Sequence, residues 1–294
     1  METADHIPVL AKEAIQMLSI QPGDLVVDAT FGRGGHTRQI LEIGATVIAF
    51  DVDKSAIEYG MRHFVREIEA KRLILVNENF EKIDEVMEKL GIKGQVSAVL
   101  ADFGVSSPQL DEGERGFSFR TDAPLDMRMD ERLGVTAADL LAVLGKKELE
   151  HLFSENAQEH HAKKIAEIIV EERSKHPIRT TRQLADLIEK KIGREGHLHP
   201  ATKIFLALRM QVNDELGVIE TFLPKAFEQL RTGGRMATIS FHEGEDRLCK
   251  EFMNKKEALG VGKMLTKRPI EPSDLEVEEN KRSRSSKLRV IEKL

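Results

Sequence analysis

The stretch Asp28-Ala-Thr-Phe-Gly32-Arg-Gly34-Gly35-His36, followed by Asp51-Val-Asp53, holds the residues whose types and spacing point most directly to chemistry. The apolar run Leu25-Val26-Val27 leads into Asp28 and the glycines, and a second run, Thr46-Val47-Ile48-Ala49-Phe50, ends on Asp51. The order is strand, tight turn, helix, strand, acid. Glycines let a backbone approach a nucleotide-like ligand, and an acid closing the second strand accepts from ribose hydroxyls. Asp51 lies 19 residues beyond Gly32, close to the interval of ~20 in such sites. A ribose-bearing ligand is expected here. The competing reading is a turn that merely closes a sheet, and the joint occurrence of turn and acid argues against it.

The third glycine of a dinucleotide fingerprint is replaced by Thr37, and Asp28 stands four residues before the first glycine. A carboxylate there repels phosphate and suits a cation. S-adenosylmethionine, with a ribose, an ammonium, a sulfonium and no phosphate, fits better than a dinucleotide. No phosphate-loop motif occurs in the chain.

Asp102 ends a fourth apolar run, so Asp28, Asp51 and Asp102 converge beyond the carboxyl ends of the strands, where open α/β sheets bind ligands. A sulfonium methyl needs mainly alignment with its acceptor. Methylating carbon 5 of a pyrimidine requires a cysteine nucleophile, and the single Cys249 lies in a helical stretch away from the strand ends. An exocyclic amine needs only acceptors that favour a tetrahedral nitrogen, which Asp102 and the loop after it could supply. His242, after the fifth strand, reads equally as a proton-handling group and as a partly buried polar residue. His160-His161 and His197-x-His199 lack cysteine partners, so no metal site is expected. The basic run Lys281-Arg282-Ser283-Arg284-Ser285-Ser286-Lys287 reads as a phosphate-binding strip or as a loop answering the acids at 274–279. Arg115, Arg120 and Arg128 extend the first reading, with Phe117 and Phe119 placed to stack on unpaired bases.

These groups need a scaffold. Strands are predicted at residues 25–30, 46–51, 72–77, 97–103, 235–241 and 287–292, with helices at 38–43, 55–69, 81–90 and 216–230. The βαβα rhythm predicts a parallel, Rossmann-like sheet. Thr232-Gly233-Gly234 reads as the stop of the last of these helices. Roughly a hundred residues after Phe103 exceed any ordinary βα connection, so an all-α domain is inserted. Its helices carry Ile165, Ala166 and Ile169; Leu184, Leu187 and Ile188, behind a Thr180 or Thr181 cap; and, after Pro200, Ile204, Phe205 and Leu208. The stretch 111–132 reads as a long polar surface loop. The expected domains are 1–110 with 214–294, and 111–213. The 294 residues are 40% hydrophobic and 32% charged with net charge −6, which suits a globular protein and disfavours attraction of nucleic acid over the whole surface. No long apolar run or signal-peptide pattern occurs, and the lone cysteine fits a reducing compartment, so a cytoplasmic protein without membrane contact is expected.

Together Asp28–His36, Asp102-Phe-Gly-Val-Ser-Ser-Pro-Gln-Leu-Asp111, Glu114-Arg-Gly-Phe-Ser-Phe-Arg120, Pro124-Leu-Asp-Met-Arg-Met-Asp130, His199-Pro-Ala-Thr202 and Ser283-Arg-Ser-Ser-Lys-Leu-Arg289 resemble the bacterial small-subunit ribosomal RNA methyltransferase H family, also called MraW. The likeness runs from His6 to the C-terminus. It implies a class I methyltransferase sheet and S-adenosylmethionine-dependent methylation of a cytosine N4 in the decoding region of 16S ribosomal RNA; naked RNA and the assembled small subunit both stay open as the substrate. It also implies cofactor contacts at Gly34, Gly35, His36, Asp51, Phe80, Asp102 and Gln109. The chain departs from the family pattern at Glu243-Gly244, where Ser-Leu is usual, and at Phe103, where Leu is usual. A nicotinamide-dependent oxidoreductase and a non-catalytic RNA-binding assembly factor are the other classes to separate. Oligomeric state stays open, a homodimer included.

Overall fold

The computed structural model describes residues 8–106, 109–110, 113–194 and 198–294. Residues 1–6, Ser107, Pro108, Asp111 and His197 of the preceding motifs lie outside them. The chain divides into two compact units: the described residues through Gly104 with Leu216–Leu294, and Val105–Glu215. Val105–Leu110 and Asp214–Glu215, expected in the sheet domain, thus group with the helical one. The first division falls at Gly104 (φ 100°), a left-handed position just beyond the fourth strand, and the second falls shortly after another, Asp214 (φ 47°).

In the first unit, α1 (Ala11–Leu18), β1 (Leu25–Asp28), α2 (Gly35–Glu42), β2 (Thr46–Phe50), α3 (Lys54–His63), α4 (Val65–Glu69), β3 (Leu73–Val76), α5 (Ile83–Lys89) and β4 (Val96–Asp102) follow in order. The second unit holds α6 (Ala137–Val143), α7 (Lys146–Ala157), α8 (Ala162–Arg173), α9 (Thr181–Ile192) and α10 (Thr202–Val212). Then come α11 (Glu215–Gln229), β5 (Leu230–Ser240), α12 (Glu243–Ala258), β6 (Gly262–Met264), α13 (Asp274–Glu279) and β7 (Lys287–Lys293).

The sheet order is β3-β2-β1-β4-β5-β7-β6. Strands β1 to β5 are parallel, whereas β7 runs antiparallel to both its neighbours. The chain moves outward from β1 to β3 and then returns to the other side of β1. The crevice at that reversal, between the ends of β1 and β4, is where an open α/β sheet receives a ligand. Successive residues of each strand serve opposite faces. Val26, Val47, Ala49, Ala98 and Leu100 join the core under α1 and α2, while Val27, Ile48, Phe50, Val99 and Ala101 join the core under α5, α11 and α12.

The helix expected at 55–69 breaks at Phe64 (φ −122°, ψ 32°), whose ring is buried edge-on to Phe31. Thr232-Gly233-Gly234 is not a helix stop: α11 passes directly into β5, and these residues form an irregularity where pairing shifts between Val96 and Ala98. A Cβ at Gly234 would lie 2.9 Å from the Arg231 carbonyl oxygen, so this passage is too tight for a side chain. In the helical unit, Thr180 caps α9 by a capping box with Gln183. The helix expected after Pro200 begins at Thr202. Residues 113–132 are not a solvated loop, because Phe117, Ala123, Leu125 and Met127 are buried in the helical core. The loop's charges answer one another instead: the Arg128 guanidinium forks onto Asp126 at 2.7 and 2.8 Å. No helix among the described residues is long and apolar enough to cross a membrane.

Candidate active site

The site grows from the chain leaving β1. Phe31 N–H donates to the Phe50 carbonyl at 2.8 Å, which carries the extended backbone alongside β2. The chain then turns through Gly32 (φ 55°) and Gly34 (φ 72°) into α2. A Cβ at Gly34 would sit 2.6 Å from Phe64 Cζ, and one at Gly35 3.1 Å from the Pro8 ring. The space a side chain would need at both glycines is therefore taken by protein. Asp28, expected to face the ligand, is turned to the turn itself. Its Oδ1 accepts from Thr30 N–H at 3.1 Å and its Oδ2 from the Thr37 hydroxyl at 2.6 Å. The residue that spoils the dinucleotide fingerprint is thus Asp28's hydrogen-bond donor.

Asp51, just past β2, accepts from Gly32 N–H at 2.8 Å and Asp53 N–H at 2.9 Å, one bond to each carboxylate oxygen. Each oxygen keeps a further lone pair for a ribose hydroxyl. Burial pushes its carboxyl up to about 7 against the pull of these two amides. Asp102 closes β4, where its N–H donates to the Thr30 hydroxyl at 2.8 Å. Its Oδ1 is buried without a hydrogen-bond partner among the described residues, and Oδ2 lies 3.9 Å from His36 Nδ1. Burial, then the Asp28 and Glu245 carboxylates, raise its carboxyl well above the ordinary range. His36 Nε2 lies 3.1 Å from the Val9 carbonyl oxygen; a carbonyl only accepts, so this nitrogen carries a proton. An ammonium would answer the unpartnered Asp102 oxygen, so the residues present fit a ligand bearing both ribose and cation.

Phe80, in the 3₁₀ turn after β3, packs edge-on to Phe222 at 4.8 Å and stays partly exposed. His242 is the N-cap of α12: its Nδ1 lies 3.4 Å from Glu245 N–H, and Glu245 Oε2 accepts from the Phe241 and His242 amides at 2.7 and 3.3 Å. His242 Nε2 lies 3.1 Å from Glu245 Oε1 without the alignment of a hydrogen bond. The capping role of His242 was not foreseen; its signal was an acid three residues on. The Cys249 thiol is buried and pushed up to about 12, chiefly by burial.

Gln109 belongs to the helical unit, where its Oε1 accepts from Ser106 N–H at 3.0 Å. Of the arginines expected to meet RNA, Arg120 is exposed. Arg115 instead donates to the carbonyls of Arg128 and Met129. Arg128 is held by Asp126 and by the carbonyls of Glu131 and Leu133. Phe117 is buried and so offers no open face to a base as expected, whereas Phe119 packs on His199 and Phe205 and stays partly exposed. In the sheet unit, Lys281, Arg282 and Arg284 stand exposed on a 3₁₀ turn whose Ser283 and Ser286 point inward. Arg289 forks onto Asp246 at 2.6 and 3.0 Å and ties β7 to α12.

Three relatives share this sequence along its length, each called ribosomal RNA small subunit methyltransferase H. The protein of Caldicellulosiruptor bescii is 44% identical, with 99% of both chains covered. That of Caldicellulosiruptor saccharolyticus is 42% identical, again with 99% of both covered. That of Thiobacillus denitrificans is 43% identical over 100% of this chain and 98% of its own. The profile of the MraW methylase family matches residues 3–294. The seven-stranded α/β sheet with its glycine turn and strand-end acids is a Rossmann-like methyltransferase fold, and the chain belongs to the MraW methylase family.

Proposed function

We propose that this chain transfers a methyl group from S-adenosylmethionine to the N4 exocyclic amine of a cytidine in the decoding region of 16S ribosomal RNA. The observation that carries the reading is Asp102, at the carboxyl end of β4, with one buried carboxylate oxygen open to a cationic or amine donor. The relatives' names support a ribosomal RNA substrate of the small subunit.

When bound, the cofactor supplies a sulfonium methyl that is electrophilic without further activation. Asp51 holds the ribose through its remaining lone pairs, and Phe80 offers a partly exposed ring to the adenine. Asp102 would accept from the cofactor's ammonium or from the target amine, and in the second role would favour a tetrahedral amine nitrogen. Transfer of that methyl, with the carbon–sulfur bond giving way to a carbon–nitrogen bond, would release one amine proton. A carboxyl held above its ordinary range is matched to receive it. Cys249 takes no part: attack on a pyrimidine ring needs a thiolate, and burial disfavours that form. The helical unit recognises the RNA with Arg120, and Lys281, Arg282 and Arg284 neutralise phosphates. The setting is the cytoplasm.

Purified protein, labelled S-adenosylmethionine and either small-subunit particles or naked 16S RNA test this directly. Nucleoside mass spectrometry is expected to find N4-methylcytidine, and Cys249→Ala is expected to leave the product unchanged. Finding 5-methylcytidine, or an RNA adduct through Cys249, overturns the reading.

A further inference from the structure

We infer that Asp28 and Thr37 are positioning residues that set the Asp102 carboxylate and the glycine turn in one register, an inference that rests on the cofactor reading above. Asp28 is 1% exposed, and both its carboxylate oxygens accept from protein donors. Its Oδ2 holds the buried Thr37 hydroxyl of α2, its Oδ1 holds Thr30 N–H, and the Thr30 hydroxyl in turn accepts from Asp102 N–H. Three consecutive hydrogen bonds thus run from the first turn of α2, through the end of β1, to the end of β4. They bridge the two strands on either side of the reversal in strand order, just beyond the backbone bond from Ala29 N–H to the Leu100 carbonyl at 2.8 Å. A shift of Asp28 would move the turn that feeds Gly32 N–H to Asp51, and with it the backbone that carries Asp102. Hydrogen-bonded support of this kind fixes a site more tightly than the groups that touch ligand can fix themselves.

The same carboxylate also acts through charge. The ionisable groups facing Asp102 are Asp28 from β1, His36 from α2 and Glu245 from α12. His36 and Asp51 also face Asp28. Removing the Asp28 charge alone therefore eases ionisation of Asp102, whereas removing the Thr37 hydroxyl alone loosens the brace.

Calorimetry of S-adenosylmethionine binding between pH 5.5 and 8.5 separates these effects. Thr37→Val keeps the side-chain shape and deprives a buried carboxylate of a donor, so affinity is expected to fall about tenfold. Thr37→Ser, which restores the hydroxyl, is expected to return affinity to within about threefold of the parent. Asp28→Asn can still accept from Thr30 and donate to Thr37, and is expected to move the acid limb of the affinity profile to lower pH. A folded Thr37→Val with the parent's affinity, or a folded Asp28→Asn whose acid limb stays in place, overturns the inference. Loss of melting temperature alone, with affinity and profile unchanged, marks a purely structural brace and overturns it as well. A parent protein that fails to bind the cofactor at all removes the underlying cofactor reading first.

Discussion

Removing the charge of Asp51 gives the sharpest test of the cofactor site. Its carboxylate is expected to bind a ribose only when ionised, since both oxygens already accept a backbone amide and a ribose hydroxyl must find a remaining lone pair. With the folded carboxyl near pH 7, about one tenth of the protein is competent at pH 6 and about nine tenths at pH 8. Apparent affinity scales with that fraction, so it is expected to rise about tenfold across this range. Asp51→Asn abolishes Asp51's part of the rise. It also leaves an amide nitrogen facing either Gly32 N–H or Asp53 N–H, so affinity at pH 8 is expected to fall at least about tenfold, the worth of one charge-assisted bond.

The stability of the cofactor-free protein carries the opposite sign. A carboxyl raised from 3.8 to about 7 on folding binds its proton more tightly in the folded state. Its contribution is therefore fully present below the unfolded pKa near 4 and is lost as pH rises through 7. Asp51→Asn removes that slope, so the variant is expected to gain stability relative to the parent between pH 4 and 8. Calorimetry across pH gives the affinity, and thermal melts without cofactor give the stability. A parent whose affinity is flat from pH 6 to 8, or a folded Asp51→Asn with unchanged affinity at pH 8, would refute the ribose assignment.

Two further outcomes follow from the same geometry. Asp102→Asn keeps shape and loses charge, and single-turnover methyl transfer is expected to fall about a hundredfold with the fold intact; near-normal turnover removes Asp102 from any charge-dependent step. Replacing Lys281, Arg282 and Arg284 with alanine is expected to flatten the slope of log affinity for RNA against log salt by up to about two units, at ~0.7 per phosphate contact, with cofactor affinity unchanged. Unchanged binding and slope in that variant would assign these side chains to the neighbouring acids of α13, although one of those, Glu276, already accepts from Leu10 N–H.

What the sequence made legible, and what it hid, divides along physical lines. The parallel strands, the glycine turn and the acid at its interval are written in short stretches, because strands buried on both faces read as continuous apolar runs and positive backbone angles are local demands. The burial of Phe117, Leu125 and Met127 within 113–132 is hidden because these apolar residues are interleaved with charges. Composition counts Arg128 and Asp126 as two solvent-seeking groups, whereas the fold uses each as the other's partner and frees Leu125 and Met127 to enter the core. Short elements without strong signals, such as the three-residue β6 and the α1 helix with no side-chain cap, were equally silent.

Asp28 shows the same limit inside the site. Three acids at three strand ends all read as facing a ligand in the sequence, and the donors around them show that one does not. Two buried donors close Asp28 off. Two amides hold Asp51 and leave room for hydroxyls. Asp102 keeps one oxygen with no partner at all among the described residues. The three carboxylates thus range from closed to open, with the closed Asp28 of β1 lying between the other two in the sheet; the proposed function gives Asp28 the brace, Asp51 the ribose and Asp102 the cation or amine. Residue 37 sets the closed end of that range. A glycine there would leave Asp28 short of a donor inside the protein, with burial still opposing its charge, so the threonine that breaks the dinucleotide fingerprint makes a buried acid tolerable beside the turn.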